Sequence, residues 1–211
     1  MKLYAFKGAC SFVPHTALNL TGTDYELALI SHADAKTPEY LAKNPQGAVP
    51  LLEDGDFYLS QNVAILNYLD EQYPTANIFG SGDTAQRAKA QQWLSYANAD
   101  VHKAFTPLFR PTAFIAEADL TDELKTKLTQ TAIARLQSIY KIADDNLANQ
   151  DYMAGEFSIA DVYLYVTLRW ANGMKIDLSN LKNLAKLVKN VEANPAVQKS
   201  LKEEGLDAIG Q

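Results

Sequence analysis

The stretch Asn44-Pro45-Gln46-Gly47-Ala48-Val49-Pro50-Leu51-Leu52-Glu53-Asp54-Gly55-Asp56-Phe57-Tyr58-Leu59 decides the fold. Asn44 to Gly47 is a turn signal, because proline presets one backbone angle and glycine adopts conformations other residues avoid. Ala48 to Glu53 and Phe57 to Leu59 then read as two strands joined by a tight Asp-Gly turn. Downstream, Ile65, Leu66 and Leu69 share one face of a helix from about Asn62 to Tyr73, and Pro74 stops it. Upstream, Leu3 to Phe6 reads as a strand, Pro14 to Leu20 as a helix ended near Gly22, and Tyr25 to Ile30 as a second strand. A short helical turn at Glu39 to Lys43 follows. The order is β-α-β-α-β-β-α.

Residues 75–83 are small, polar and glycine-containing, as in a connection between domains. Beyond them every periodic segment is helical: roughly Thr84 to Phe109, Thr121 to Leu147, Ser158 to Trp170, Leu181 to Val191 and Pro195 to Glu204. The expected organisation is a small α/β domain over residues 1–77 and an all-α domain over residues 84–211. Ser158-Ile159-Ala160-Asp161 is a capping-box variant at the start of one of those helices, a folding element rather than a chemical one.

The chain has 211 residues, 47% of them hydrophobic, enough for a substantial core. Its start lacks a long apolar run with a small-residue cleavage site, and no run of about 18 apolar residues occurs, so a cytoplasmic location is expected. The net charge of −6 is uneven: residues 1–80 carry four basic and nine acidic side chains, the remainder fifteen and sixteen. Neither part offers a basic face that would collect phosphates, which argues against nucleic acid and anionic membrane as partners.

The one cysteine, Cys10, lies in Lys7-Gly8-Ala9-Cys10-Ser11-Phe12-Val13-Pro14-His15, between the first strand and the first helix. A thiol at a helix N-terminus faces unpaired N–H groups and the positive end of the helix dipole, which favour the thiolate. It has no partner within the chain, since Val13 stands where a dithiol protein has its second cysteine. Any disulfide it forms is with another molecule. A buried structural thiol is the plain alternative.

These segments together resemble the cytosolic glutathione transferase family, and within it the bacterial beta class. The likeness rests on Met1-Lys2-Leu3-Tyr4, Gly8, Cys10-Ser11 and Pro14-His15, then on Asn44 to Leu52, Val63-Ala64-Ile65 and Tyr68-Leu69. It continues through Val101-His102-Lys103, Pro107-Leu108-Phe109, Phe157 to Asp161, Trp170 and Asn194 to Val197. The resemblance implies a thioredoxin-like N-terminal domain that binds glutathione as cosubstrate, with no metal, and a helical domain that holds small hydrophobic electrophiles. A homodimer is implied as well.

Read alone, Pro50 is a turn proline, for which the trans bond is the ordinary expectation. The resemblance implies a cis bond instead, with the Val49 backbone pairing an extended peptide. It implies that Gln61 and Asn62 hold the γ-glutamyl end of glutathione. Asn62 departs from the family's serine or threonine, and a simple N-cap is its other reading. Lys36 for the glycine carboxylate and Asp100 for a neighbouring subunit's glutathione are weaker transfers.

For chemistry, the resemblance implies Cys10 and His102 as catalytic groups with Ser11 in support, and Tyr4 as the alternative other classes use. Phe109 and Trp170 are implied as walls of the electrophile pocket, although residues at helical spacing also serve as core. His15, one turn after Cys10, points into the domain by helical spacing and reads as structural. His32 has no evident role. The three histidines lack a close ligand pair, and no Gly-rich phosphate loop occurs. The implied activity is conjugation of glutathione to electrophiles, with glutaredoxin-like exchange through Cys10 as a second mode. A noncatalytic binding protein on the same fold, or a glutathione-dependent isomerase or dehalogenase, are the other readings.

Overall fold

The computed structural model describes residues 1–210. Its first part is a four-stranded mixed sheet of β1 (Lys2–Ala5), β2 (Glu26–Leu29), β3 (Leu51–Asp54) and β4 (Phe57–Ser60), in the order β2-β1-β3-β4. β1 runs parallel to β2 and antiparallel to β3, and β3 pairs antiparallel with β4 through Leu52 opposite Leu59 and Asp54 opposite Phe57. The two residues left between those strands, Gly55 and Asp56, make the expected tight turn. Three helices complete this thioredoxin-like unit: α1 (Phe12–Thr21), α2 (Pro38–Lys43) and α3 (Asn62–Gln72).

The second part is helical: α4 (Thr84–Tyr96), α5 (His102–Ala104), α6 (Thr106–Phe109), α7 (Asp122–Asn146), α8 (Ile159–Gly173), α9 (Lys182–Glu192) and α10 (Pro195–Glu204). No helix among the described residues is long and apolar enough to cross a membrane. The single helix expected from Thr84 to Phe109 is broken. A π turn, Ala97–Val101, links α4 to α5, and a single turn residue, Phe105, separates α5 from α6. Pro107 explains the second break, because it has no N–H to give and its ring collides with the carbonyl four residues back. The π turn carries no comparable sequence signal; such turns occur often at functional sites.

One hydrophobic core runs through both parts. Leu3, Phe12, Leu18, Leu52, Ile65 and Leu69 of the first part join Tyr140, Ile159, Val162, Tyr163 and Tyr165 of the second in one buried cluster. α8 is its centre, with eleven of fifteen residues buried, and it starts at a complete capping box. The Asp161 carboxylate accepts from the N–H groups of Met153 (2.7 Å) and Ser158 (2.8 Å) and from the Ser158 hydroxyl (3.1 Å). Burial nevertheless pushes its pKa up to about 6. α1 packs between α8 and α10, so the loop entering α1 lies against the helical part.

Candidate active site

The loop from β1 to α1 is held from the helical side by two side chains. Gly8, at φ +70, adopts a backbone that L side chains avoid. Its N–H donates to Glu204 Oε2 (2.8 Å), and its carbonyl accepts from Trp170 Nε1 (2.8 Å). Two residues on, Cys10 sits just ahead of α1, partly buried, with its Sγ 3.8 Å from the Val49 carbonyl oxygen. Ser11 does not reach the cleft. It is fully buried, and its hydroxyl is occupied by Phe6, accepting from the N–H (3.1 Å) and donating to the carbonyl (3.2 Å). His15 is likewise buried, with Nδ1 2.8 Å from Glu204 Oε1 and Nε2 2.8 Å from Glu203 Oε2, a structural placement.

The expectation of a thiolate at Cys10 is overturned. Burial pushes the thiol up to about 11, against the opposing pull of the Asn62 side chain, the Cys10 and Ser11 N–H groups and the Lys103 charge. The helix start does favour the anion, but loss of water outweighs it. At neutral pH Cys10 is a thiol, able to donate a hydrogen bond.

His102 is the opposite case in charge and the same in cause. Burial, with a contribution from Lys103, lowers its pKa to about 4, so the ring is neutral. Its Nδ1 lies 2.8 Å from the Tyr163 hydroxyl, which donates to Asn98 Oδ1 (2.8 Å) and accepts from Asn62 Nδ2 (3.2 Å). With its proton given to Asn98, the hydroxyl accepts from His102 as well, which assigns the proton to Nδ1 and leaves Nε2 a lone pair. Asn62 is therefore neither an N-cap nor turned outward. It is the first residue of α3, buried, with its amide against Cys10 and Tyr163 and its Oδ1 without a partner among the described residues. The His102 shift has a testable sign. An unfolded histidine takes its proton near 6.5 and the folded one only near 4, so this residue makes the protein lose stability as pH falls from 6.5 to 4. A His102→Gln variant lacks that term, and urea denaturation at several pH values should show wild type losing ground to it across that window.

Cys10 and His102 line one cavity of about 590 Å³ with Phe6, Phe109 and Trp170. Trp170 meets the rings of His102, Phe105 and Phe109 edge-on, at 4.8, 5.4 and 5.3 Å between centroids, and Phe109 is half exposed. A larger hollow of about 660 Å³ lies between α8 and α9, away from Cys10. Its lining holds no thiol or imidazole.

Beside the cleft, the Val49–Pro50 bond is cis. Among the described residues no group accepts from the Val49 N–H. Gln61 precedes α3 at φ 76, a left-handed backbone that costs a non-glycine residue about 1–3 kcal/mol. No side chain caps α3, so its first N–H groups have no acceptor among the described residues. The Lys36 ammonium donates to the carbonyls of Gly47 (2.9 Å) and Gln46 (3.4 Å), bracing the turn before Pro50. Asp100 is exposed in the π turn. Tyr4 is bound elsewhere, donating to Glu53 Oε2 (2.8 Å) and accepting from Lys43 Nζ (2.9 Å).

The family description "Glutathione S-transferase, N-terminal domain" matches residues 1–71, and "Glutathione S-transferase, C-terminal domain" matches residues 96–195. The chain belongs to the glutathione S-transferase family. It is 39% identical to glutathione S-transferase GST-4.5 of Xanthomonas campestris, over 98% of this chain and all of that one. Among solved structures, a glutathione S-transferase from Xylella fastidiosa superposes with a TM-score of 0.90 at 39% identity, covering 98% of this chain and 99% of that one. A sphingomonad glutathione S-transferase complexed with glutathione gives 0.83 at 35%, and the bacterial beta class enzyme of Sphingomonas chungbukensis 0.83 at 34%. Each covers 98% of this chain and all of the other.

Within this transferase framework the cleft joins both matched segments: Cys10, Val49 and Asn62 come from the first, His102, Phe109, Tyr163 and Trp170 from the second. Glu204 lies outside both matches. Asn98, Tyr163 and Glu204 had no individual sequence signal. Tyr163 sits at a buried helical position and reads as core, and a glutamate in a terminal helix reads as surface.

Proposed function

We propose that this chain is a glutathione transferase of the bacterial beta type. Glutathione lies against the residue 1–77 domain, and a hydrophobic electrophile against the residue 84–211 domain. One observation carries the reading: a protonated thiol and a neutral imidazole share an aromatic cleft beside a backbone N–H and a helix start that have no acceptor among the described residues.

The tripeptide pairs with the Val49 backbone as an added strand. Its γ-glutamyl carboxylate meets the first N–H groups of α3, where the helix dipole favours an anion. Its sulfur then falls near Cys10 and His102. The His102 lone pair accepts a hydrogen bond from the thiol, the Nδ1–Tyr163 bond holds the ring from its far side, and the thiol proton passes to solvent as the thiolate forms. The Cys10 S–H donates to the thiolate, an interaction with a charged group that contributes about 1.5–3 kcal/mol. The thiolate attacks the electrophilic carbon, a carbon–sulfur bond forms, and the leaving group departs with its electron pair. In this arrangement Cys10 is the group that positions a borrowed sulfur. Exchange through a mixed disulfide is the slower mode, since a thiol near 11 is ionised in only about one molecule in ten thousand at pH 7. The reading carries with it a homodimer in the cytoplasm, for which exposed Phe57 and Tyr58 on β4 and exposed Asp100 are the candidate contacts.

The test pairs glutathione binding with two rates, conjugation of chlorodinitrobenzene and reduction of a glutathione mixed disulfide. Cys10→Ser keeps a donor and should retain most of the conjugation while losing the exchange. Cys10→Ala should lose about tenfold or more of the conjugation as well. Absence of glutathione binding by the wild type would rule out the transferase reading. Conjugation unaffected in Cys10→Ala would remove Cys10 from the mechanism.

A further inference from the structure

The cleft that holds Cys10 and His102 has a sign of charge opposite to that of the chain. The protein carries −6 overall, yet Lys7 and Arg110 line this cavity and, among the described residues, no carboxylate does. Neither Lys7 nor Arg110 joins an ion pair among the described residues. Arg110 is exposed at the end of α6, directly after Phe109 of the aromatic wall. Lys7 lies one residue from the clamped Gly8, with its ammonium beside Gly205 at the end of α10. His32 is held edge-on against Phe6 at 4.3 Å. The start of α3, whose first N–H groups are read as meeting the γ-glutamyl carboxylate, is not in this lining. The rim cations are therefore left for the second substrate.

Resting on the transferase reading, we propose that the electrophile taken by this cleft is flat, apolar and acidic. Its ring lies against Trp170 and Phe109, and a carboxylate or similar anion is held at the rim by Arg110 and Lys7. The physics favours this pairing twice. A cleft lined by one sign of charge between low-dielectric walls concentrates the opposite ion. A guanidinium also presents a fork that matches a carboxylate with two parallel hydrogen bonds, fixing the ring's orientation as well as its presence.

A charged and an uncharged form of one electrophile test it: 4-chloro-3,5-dinitrobenzoate and its methyl ester. In each, the glutathione sulfur attacks the chlorine-bearing carbon, the C–S bond forms, chloride leaves with its electron pair, and the thiol proton is released. kcat/KM for each is divided by its uncatalysed rate with glutathione. The wild type should prefer the acid by about tenfold. The preference should shrink in 0.5 M salt, because exposed charges are screened. It should fall towards parity in Lys7→Ala/Arg110→Ala, while Arg110→Lys, which keeps charge but not the fork, lies between. Equal treatment of acid and ester by the wild type would overturn the inference and leave the transferase reading standing. So would a loss in the double variant matched by a rise in glutathione KM, which would assign the cations to glutathione. Conjugation of neither compound would remove the transferase reading, and the inference with it.

Discussion

Glu204→Ala lowers the unfolding free energy by about 3–5 kcal/mol, from two buried groups left without their partner and the void the side chain leaves. The Glu204 side chain is inaccessible to solvent, and each carboxylate oxygen has one partner at 2.8 Å, His15 Nδ1 and the Gly8 N–H. Truncation leaves both without an acceptor, in a place where His15 is itself fully buried, and opens a void between α1 and α10. An unsatisfied buried group costs about 1–3 kcal/mol, so the two together account for most of the loss. Glu203→Ala is the internal control. That carboxylate also meets His15 but is about a third exposed, so water replaces it and the loss should stay near 1 kcal/mol. Urea denaturation at pH 7 measures both. The Gly8 N–H is freed only in the first variant, so alkylation of Cys10 should quicken there and not in Glu203→Ala. Similar stability losses in the two variants would show that Glu204 is not the clamp described.

Tyr163→Phe should cost about 100-fold in kcat/KM for conjugation with little change in glutathione KM. The phenyl ring keeps the core filled, while removal of one oxygen strips His102 Nδ1, Asn62 Nδ2 and Asn98 Oδ1 of a shared partner. His102 then loses the bond that fixes its proton on Nδ1 and aims Nε2 at the cleft, and Asn62 is released beside Cys10. Of the three bonds lost, those that orient His102 and Asn62 bear on the reacting sulfur, and about 1.4 kcal/mol for each gives the hundredfold figure. The pH profile separates positioning from general damage, since the His102 limb of kcat should move in Tyr163→Phe and stay put in Glu203→Ala. A fully active Tyr163→Phe would show that the network is packing only.

Much of the arrangement was legible from particular residues. The Asp-Gly turn, the Pro74 stop and the Gly22 end of α1 are local effects, and the structure has each where the sequence puts it. Pro107 was an equally local signal that the periodicity around it concealed. Cys10, His102, Phe109 and Trp170 do share one cavity, but their meeting was implied only by resemblance, because no spacing rule brings together residues about 90 to 160 positions apart.

By itself the sequence determined the order of elements, the turn and cap positions, a lone thiol ahead of the first helix, and the likeness to a glutathione-using family. These depend on neighbours within a few residues or on a pattern of residue types along the chain. The ionisation of the site depends on burial, and burial is a property of the packed whole. Only tertiary structure decided that Cys10 is a thiol rather than a thiolate, that His102 is neutral, and that Ser11 faces inward. It alone turned Asn62 towards Cys10 and Tyr163, hung Gly8 between Glu204 and Trp170, and gathered the rim cations of an acidic chain at its cleft.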